Sequence, residues 1–307
     1  MVYKEESRLI LEGLAASSRM LDANRERLNR LNFFPVADMD TGTNMALSAR
    51  GALGHLKKAN GDASAAELLK LYYEGLLEHG RGNSGTILAM LAGGFCSVME
   101  DGKPITGELL ARAFKRAAEA ACSAVPKVKD GTMLSVAKEA AEAGASFCEL
   151  TQDARLIWKR ITEEAHASLS MTAFRNPVLR QYGVADAGAF GLCLILDGMF
   201  SVLLPEEKLP SYDFSEIPRD DCTLPPEPPY PYCTELFVKK NAASDLSALS
   251  AECEALGDCF LCVENGDKFK LHIHTLEPDA VTGLTQKYGE IISKKVDDMR
   301  VNTRKLQ

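Results

Sequence analysis

The sequence predicts a helical bundle followed by a small α+β unit, and three observations predict it. Between residues 5 and 203 apolar residues recur at helical spacing in about eight blocks, with no convincing strand among them. From Pro205 to Pro231 lie eight of the thirteen prolines, ending in Leu-Pro-Pro-Glu-Pro-Pro-Tyr-Pro-Tyr, an extended linker. Beyond it, short segments alternate polar and apolar residues with period two, separated by two helical blocks. Residues 1–205, 206–231 and 232–307 are therefore read as helical domain, linker and α+β domain.

Leu9, Ile10, Leu14, Met20, Leu21, Leu28 and Leu31 set a long opening helix over residues 5–31, which delivers the chain into an aspartate loop ending Asp38-Met39-Asp40-Thr41-Gly42-Thr43-Asn44. A second helix runs from Thr43 to about Ala59 and stops at Asn60-Gly61-Asp62. A third covers residues 63–78, and Gly80-Arg81-Gly82-Asn83-Ser84-Gly85 then feeds an apolar helix from Thr86. Thr106 to Val125 is amphipathic and closed by Pro126, and Lys129-Asp130-Gly131-Thr132 opens an alanine-rich helix to about Glu149. Another helix spans residues 153–169. A short segment near residues 177–182 precedes Gly183-Val184-Ala185-Asp186-Ala187-Gly188-Ala189-Phe190-Gly191 and the helix Leu192 to Leu203. Four polar, glycine-bearing turns thus each precede a helix N-terminus. In a bundle of antiparallel helices such turns can meet at one rim, where the positive dipole ends converge.

After the linker the reading is a strand over residues 232–239, a helix over 244–256 and a strand over 259–264. An Asn265-Gly266-Asp267 hairpin turn follows, then a strand over 269–275, a helix over 278–288 and a strand over 290–296. The order β-α-β-β-α-β predicts a ferredoxin-like α+β domain.

At 307 residues, 46% hydrophobic and 25% charged, the chain has the composition of a soluble globular protein with room for two cores. A net charge of -8 argues against nucleic-acid binding, which needs a basic face. No apolar run approaches a membrane span, and the N-terminus has no signal-peptide core, so a cytoplasmic location is expected. Nine scattered cysteines read as reduced thiols.

Asp38 and Asp40 supply hard oxygen ligands for Mg²⁺, and the N–H groups at the start of the following helix can hold the phosphates that such a metal bridges. A lone Asp-x-Asp is as easily a helix cap; four glycine loops at helix starts favour a nucleotide-phosphate site. His272 and His274 stand two apart on a predicted strand and so share a face, where Cys233 from another strand could add a thiolate for Zn²⁺. The alternative is a structural or solvated pair. Cys259-Phe260-Leu261-Cys262 is read as core, because strand positions three apart face opposite sides. Trp158 is read as packing, and Lys294-Lys295 and the tail from Arg300 to Lys305 as solvated charge.

These motifs resemble the DhaL/DAK2 family, and within it the fatty acid kinases of the FakA type. The matching residues are Asn32-Phe33-Phe34-Pro35-Val36, Asp38-x-Asp40-Thr41-Gly42-Thr43-Asn44-Met45, Arg81-Gly82-Asn83-Ser84-Gly85, Gly131-Thr132 and Val184-x-Asp186-Ala187-Gly188-x-x-Gly191-Leu192. Tyr232-Cys233-Thr234-Glu235 and Leu271-His272-Ile273-His274-Thr275 are similar to that family's middle-domain signatures. The resemblance implies an eight-helix antiparallel barrel that binds ATP and Mg²⁺ at one end. It also implies phosphorylation of a fatty acid presented by a separate FakB (DegV)-type carrier, with Asp38 and Asp40 as catalytic metal ligands. Thr41, Gly42, Thr43, Asn44, Gly82, Asn83, Ser84, Gly85, Gly131, Thr132, Asp186 and Gly188 would line the nucleotide, and Cys233, His272 and His274 would hold zinc. A homodimer through the middle domain is a further implication. Such chains usually continue into a third, carrier-engaging domain; this one ends at Gln307 and reads as truncated or as a short natural member.

None of the four loops offers a histidine, and a fatty carboxylate, with a pKa of roughly 4 to 5, needs no base at pH 7. Departures from the family are Ala37 and Met39 in place of proline and glycine, Ala189-Phe190 in place of glycine and a polar residue, and Asn32 where other branches carry an aspartate. A φ above zero at position 39 would strain Met39. Phe190 would pack on the adenine or crowd it. The alternatives are the nucleotide-binding subunit of a dihydroxyacetone kinase and a nucleotide- and zinc-binding scaffold without turnover.

Overall fold

The structure is a computed structural model and describes residues 2–125, 128–210, 225–242 and 244–303. Most of the proline-rich segment (residues 211–224), Pro126 and the tail from residue 304 lie outside the described residues. The helices are α1 (Val2–Ala23), α2 (Arg25–Arg30), α3 (Thr41–His55), α4 (Ala65–His79), α5 (Gly82–Cys96), α6 (Gly107–Ala124), α7 (Met133–Phe147), α8 (Ala154–Arg175), α9 (Pro177–Tyr182) and α10 (Ala187–Leu203). The eight long ones close a ring in the order α1, α3, α4, α5, α6, α7, α8, α10, and α10 packs back on α1. The predicted barrel is therefore present. Its core joins Leu21, Leu28, Met45, Ile157, Ile161, Leu169 and Phe200, all essentially inaccessible. The ring also encloses an apolar cavity of about 400 Å³, lined by Leu14, Leu76, Leu88, Phe95, Trp158 and Met199 among others.

Local chemistry explains the ends. Ser64, Thr106, Asp153 and Asp186 each accept a first-turn amide as N-caps. The predicted opening helix breaks at Asn24, whose side chain donates to the Met20 carbonyl (3.0 Å) and leaves α2 as a separate turn. Helices α5 and α10 start earlier than predicted, because Gly85 and Gly191 are helical close-approach residues. A Cβ at Gly85 would lie 2.5 Å from Ser48 Oγ, and one at Gly191 would lie 2.3 Å from Met45 Sδ. Helix α8 continues past Leu169 to Arg175, and Asn176 then caps α9.

The second part comprises β1 (Tyr232–Lys240), α11 (Leu246–Glu254), β2 (Gly257–Asn265), β3 (Lys268–Thr275), α12 (Pro278–Thr285), β4 (Gly289–Asp298) and the short α13 (Arg300–Thr303). The strands form one antiparallel sheet in the order β2-β3-β1-β4, the ferredoxin-like arrangement expected from the element order. One face, with Leu236, Val238, Phe269, Leu271 and Ile273, packs on Leu249 of α11 and Val281 of α12. The other face lies on the helical ring: Phe237, Leu261 and Val263 join the ring's own core, each contributing about 1.5–3 kcal/mol of burial. Both faces of β3 are buried, and that seats the sheet over the glycine loops. Among the described residues no helix is long and apolar enough to cross a membrane.

Candidate active site

The aspartate loop is held by asparagines. Asn32, itself buried, accepts the amides of Asp40 (3.0 Å) and Thr41 (2.9 Å) and donates to the Val36 carbonyl (2.8 Å). Asn29 of α2 accepts the Thr43 amide (3.0 Å) and donates to Thr43 Oγ1 (3.0 Å). The amides at the start of α3 that were expected for phosphates are thus partly taken, because two side chains satisfy them first. The loop brings its two carboxylates together, Asp38 against Asp40, with the Asn44 side chain beside Asp40. Met39 between them has φ 53°, so the turn that normally favours glycine is kept with a methionine in it.

The start of α5 meets this loop, and the starts of α7 and α10 meet each other. A Cβ on Gly82 would lie 2.4 Å from Asn44 Nδ2, so only glycine lets α5 approach α3 so closely. Gly82 also has φ 62°. Asp186 Oδ1 accepts the amides of Met133 (3.1 Å) and Ala189 (2.7 Å), so a single oxygen joins the N-termini of α7 and α10. Burial pushes this carboxyl up to about 6, against the two amide bonds that pull it down. Thr132 and Ser135 form a reciprocal capping box at α7. In α5 the Gly82 amide is bound to Glu235 Oε1 (2.7 Å), and the Arg81 amide to Ser48 Oγ (2.9 Å). Among the described residues the amides of Asn83 and Ser84 have no acceptor, and they are the ones that could hold a phosphate.

The sheet presents its chemistry in cross-strand rows. Cys233 pairs with His274 on one side and Asp297 on the other; Glu235 pairs with His272 and Lys295; Phe237 pairs with Lys270 and Ser293. Cys233 Sγ lies 3.7 Å from His272 Nδ1, and the Nε2 atoms of His272 and His274 face each other at 3.2 Å. The ligand atoms of these three residues all fall within 4.8 Å of one another. Lys270 Nζ donates to the Gly80 carbonyl, so with Glu235 the sheet grips both ends of the Gly80–Gly82 turn.

Burial, then the adjacent Asp40, push Asp38 well above the usual carboxylate range; burial also raises Asp40, with Lys295 opposing and Asp297 adding to the rise. Two neighbouring buried carboxylates that repel each other are a donor set suited to a hard divalent cation. Burial lowers His272 to about 4, so its ring is neutral at pH 7. Burial pushes Glu235 upward, but the His272 hydrogen bond and Lys270 outweigh it and bring it down to about 2. The His272–Glu235 contact is therefore an imidazole N–H facing a carboxylate, not an ion pair. Burial keeps the Cys233 thiol protonated, well above its usual value. One thiol and two imidazoles on a rigid sheet, with His274 Nδ1 buried and without a hydrogen-bond partner, fit the ligand set of Zn²⁺.

A sequence profile of the DAK2 domain matches residues 35–201. The chain belongs to the DAK2 family. A second profile, of the FakA-like middle domain of fatty acid kinase, matches residues 229–306 of this DAK2 protein. Relatives include an uncharacterized protein of Staphylococcus epidermidis, 33% identical over all of this chain and 57% of the relative, and one of Staphylococcus aureus, 33% identical over all of this chain and 58% of the relative. The chain thus spans under three fifths of the length of these curated relatives. Among solved structures the dihydroxyacetone kinase of C. freundii is similar at 18% identity and a TM-score of 0.45, over 63% of this chain and 34% of that one.

In this DAK2 protein Asp38, Asp40, Asn44 and Gly82 come together at the rim, with Asn83 reaching Cys259 across it. Gly131, Thr132, Asp186 and Gly188 form the α7–α10 corner; a Cβ on Gly188 would lie 2.7 Å from Met133 Cε. Phe190 is buried in the helical core under the Arg27 guanidinium (4.9 Å). Trp158 packs edge-on to Phe114 and donates to the Leu196 carbonyl (3.1 Å).

Three sequence expectations need correction. Lys295 is not simply solvated: it lies 3.8 Å from Glu235, pairs with Asp297 and faces Asp40. Arg300 is built in, over the Tyr232 ring and paired with Asp298. Cys262 is core as expected, but Cys259 is not, because an extra residue in β2 turns it to the rim. Lys270 belongs to no motif, although period two from His272 puts it on the same face and could have found it.

Proposed function

We propose that the chain is the ATP-dependent phosphotransferase part of a fatty acid kinase, acting on a fatty carboxylate held by a FakB/DegV-type carrier and giving an acyl phosphate. The observation that carries the reading is the buried Asp38–Asp40 pair beside the two open amides of α5, Asn83 and Ser84, under a lid formed by the sheet. Asp38 and Asp40 would hold Mg²⁺, which when bound neutralises charge on the transferring phosphoryl group. Thr43, Asn44, Asn83 and Ser84 would orient the phosphates. Helix dipoles of α3 and α5 add to the attraction for the anion.

The middle-domain match supports a fatty acid acceptor, and so does the shortage of a base. His272, whose ring faces Glu235, is fully buried, neutral and occupied by Cys233 and His274. Cys233, His272 and His274 would hold Zn²⁺, giving the sheet a fixed anchor directly above the acid pair. That Met39 keeps the glycine-type turn supports this reading.

Incubation with labelled ATP, Mg²⁺ and a fatty-acid-loaded DegV-type carrier tests the reading. Acyl phosphate formed only with the carrier supports it. Label on glycerone would shift the assignment to the dihydroxyacetone kinase branch, and nucleotide binding without transfer to either acceptor would leave a binding scaffold.

A further inference from the structure

Among the described residues two non-glycines have left-handed φ, Met39 (53°) and Cys259 (52°), and both border the same junction. The aspartate turn accounts for the first. Cys259 lies in an edge strand, where regular pairing would never require it, and strain kept in such a place points to a use. Its cause is a bulge: Asp258 stands opposite His274 and Leu261 opposite His272, so β2 carries one extra residue. Gly257 just before it presses on β3, since a Cβ there would lie 1.9 Å from the His274 carbonyl oxygen. Asp258 and Cys259 consequently turn to the same face, and with His274 they form a cluster with ligand atoms within 4.8 Å of one another.

Each of the two has a distinct neighbour. Asp258 Oδ1 is 3.6 Å from His274 Nδ1, a buried nitrogen with no hydrogen-bond partner, while Nε2 of the same ring faces His272. Cys259 neighbours the Asn83 side chain at the start of α5, the helix that packs on β2, and lies beside Asp258 and near Asp38.

We infer that the Gly257–Cys259 bulge couples the metal centre to the nucleotide loop: Asp258 is a positioning residue that fixes His274 to offer Nε2, and Cys259 ties the same bulge to Asn83. A carboxylate on the far nitrogen of a ligating histidine sets its tautomer and strengthens it as a ligand. Asn83 reports the position of the α5 start, where the open amides are. Ligand on either side therefore stiffens one short segment that both share, and linkage makes the effect mutual. This inference rests on the proposed occupation of these two sites by zinc and ATP.

The full chain is titrated with zinc in competition with a chelator, with and without Mg²⁺ and a non-hydrolysable ATP analogue, and with the nucleotide with and without zinc. Wild type is expected to bind each ligand about tenfold tighter when the other is present, by the same factor in both directions. C259A should bring that factor close to one, and C259S, which keeps a hydrogen-bonding group, should retain it. D258N should weaken zinc by about 10–100-fold and shift the absorption bands of the Co²⁺-substituted protein, and D258E should recover part of both. Equal affinities with and without the second ligand in wild type, or coupling that survives both C259A and D258N, would overturn the inference alone. Failure of zinc or nucleotide to bind at all would take down the underlying reading as well.

Discussion

Asp38 and Asp40 lie on a loop that other side chains must hold, whereas Cys233, His272 and His274 take their spacing from the pleat of a sheet. Asn29 and Asn32 together make five hydrogen bonds to the aspartate loop and the start of α3. The cysteine and histidines need no such support, because their strands are hydrogen-bonded neighbours and residues two apart share a face. A loop site concentrates its vulnerability in the residues that shape it. A sheet site concentrates it in the ligands themselves.

The comparison breaks most visibly when each proposed ligand set is removed in turn. Asp38→Ala or Asp40→Ala should lower Mg²⁺-dependent phosphoryl transfer by about a thousandfold or more while zinc content stays at the wild-type level. His272→Ala or Cys233→Ala should do the reverse to the metals, abolishing bound zinc by elemental analysis and leaving nucleotide affinity within about tenfold. Equal zinc in wild type and both sheet variants would remove the second centre from the molecule.

Asp186 is an intermediate case, one carboxylate that supports two helix starts. Its folded-state pKa of about 6 stands above the ordinary 3.8. The folded state therefore favours the protonated acid, and that advantage, full below about pH 4, is lost as the pH rises through 6. Asp186→Asn keeps an oxygen for both amides and does not titrate. Relative to it, wild type should lose about 3 kcal/mol between pH 4 and pH 7, as read from urea unfolding of both proteins. Parallel pH profiles would show that the carboxyl is not desolvated as described.

Asn32→Ala sharpens the contrast from the loop side. Removing it strands the Asp40 and Thr41 amides and should destabilise the fold by about 2 kcal/mol, with a tenfold loss in Mg²⁺-nucleotide affinity, although no ligand has been touched. The smallest effect is expected of Met39→Gly, which relieves the left-handed residue and should stabilise the chain by about 1 kcal/mol in thermal unfolding.

Much of this was legible in the sequence because it follows from periodicity. Helical spacing gave the ring, alternation gave the four strands, and period two put His272 and His274 on one face. The motif made strain at Met39 conditional on a positive φ, and the residue is left-handed. What stayed hidden depends on departures from regularity or on long-range packing. A bulge cannot be seen in the string Gly257-Asp258-Cys259, so Cys259 read as core. Nor does a pattern of charges say that Lys295 turns inward between Glu235 and Asp297. The capping of α3 by Asn29 and Asn32 was missed for a related reason: local asparagines read as turn formers, and the amides they accept lie 8 to 14 residues away.

The grip of Glu235 and Lys270 on Gly82 and Gly80 spans 153 and 190 residues of chain. During synthesis the ring can assemble long before those two side chains exist, leaving one amide and one carbonyl of the turn to water. The turn between α4 and α5 is thus completed last, by the strands that arrive after the proline-rich segment, and a nascent chain stalled before β3 would carry a finished barrel with an unfinished rim.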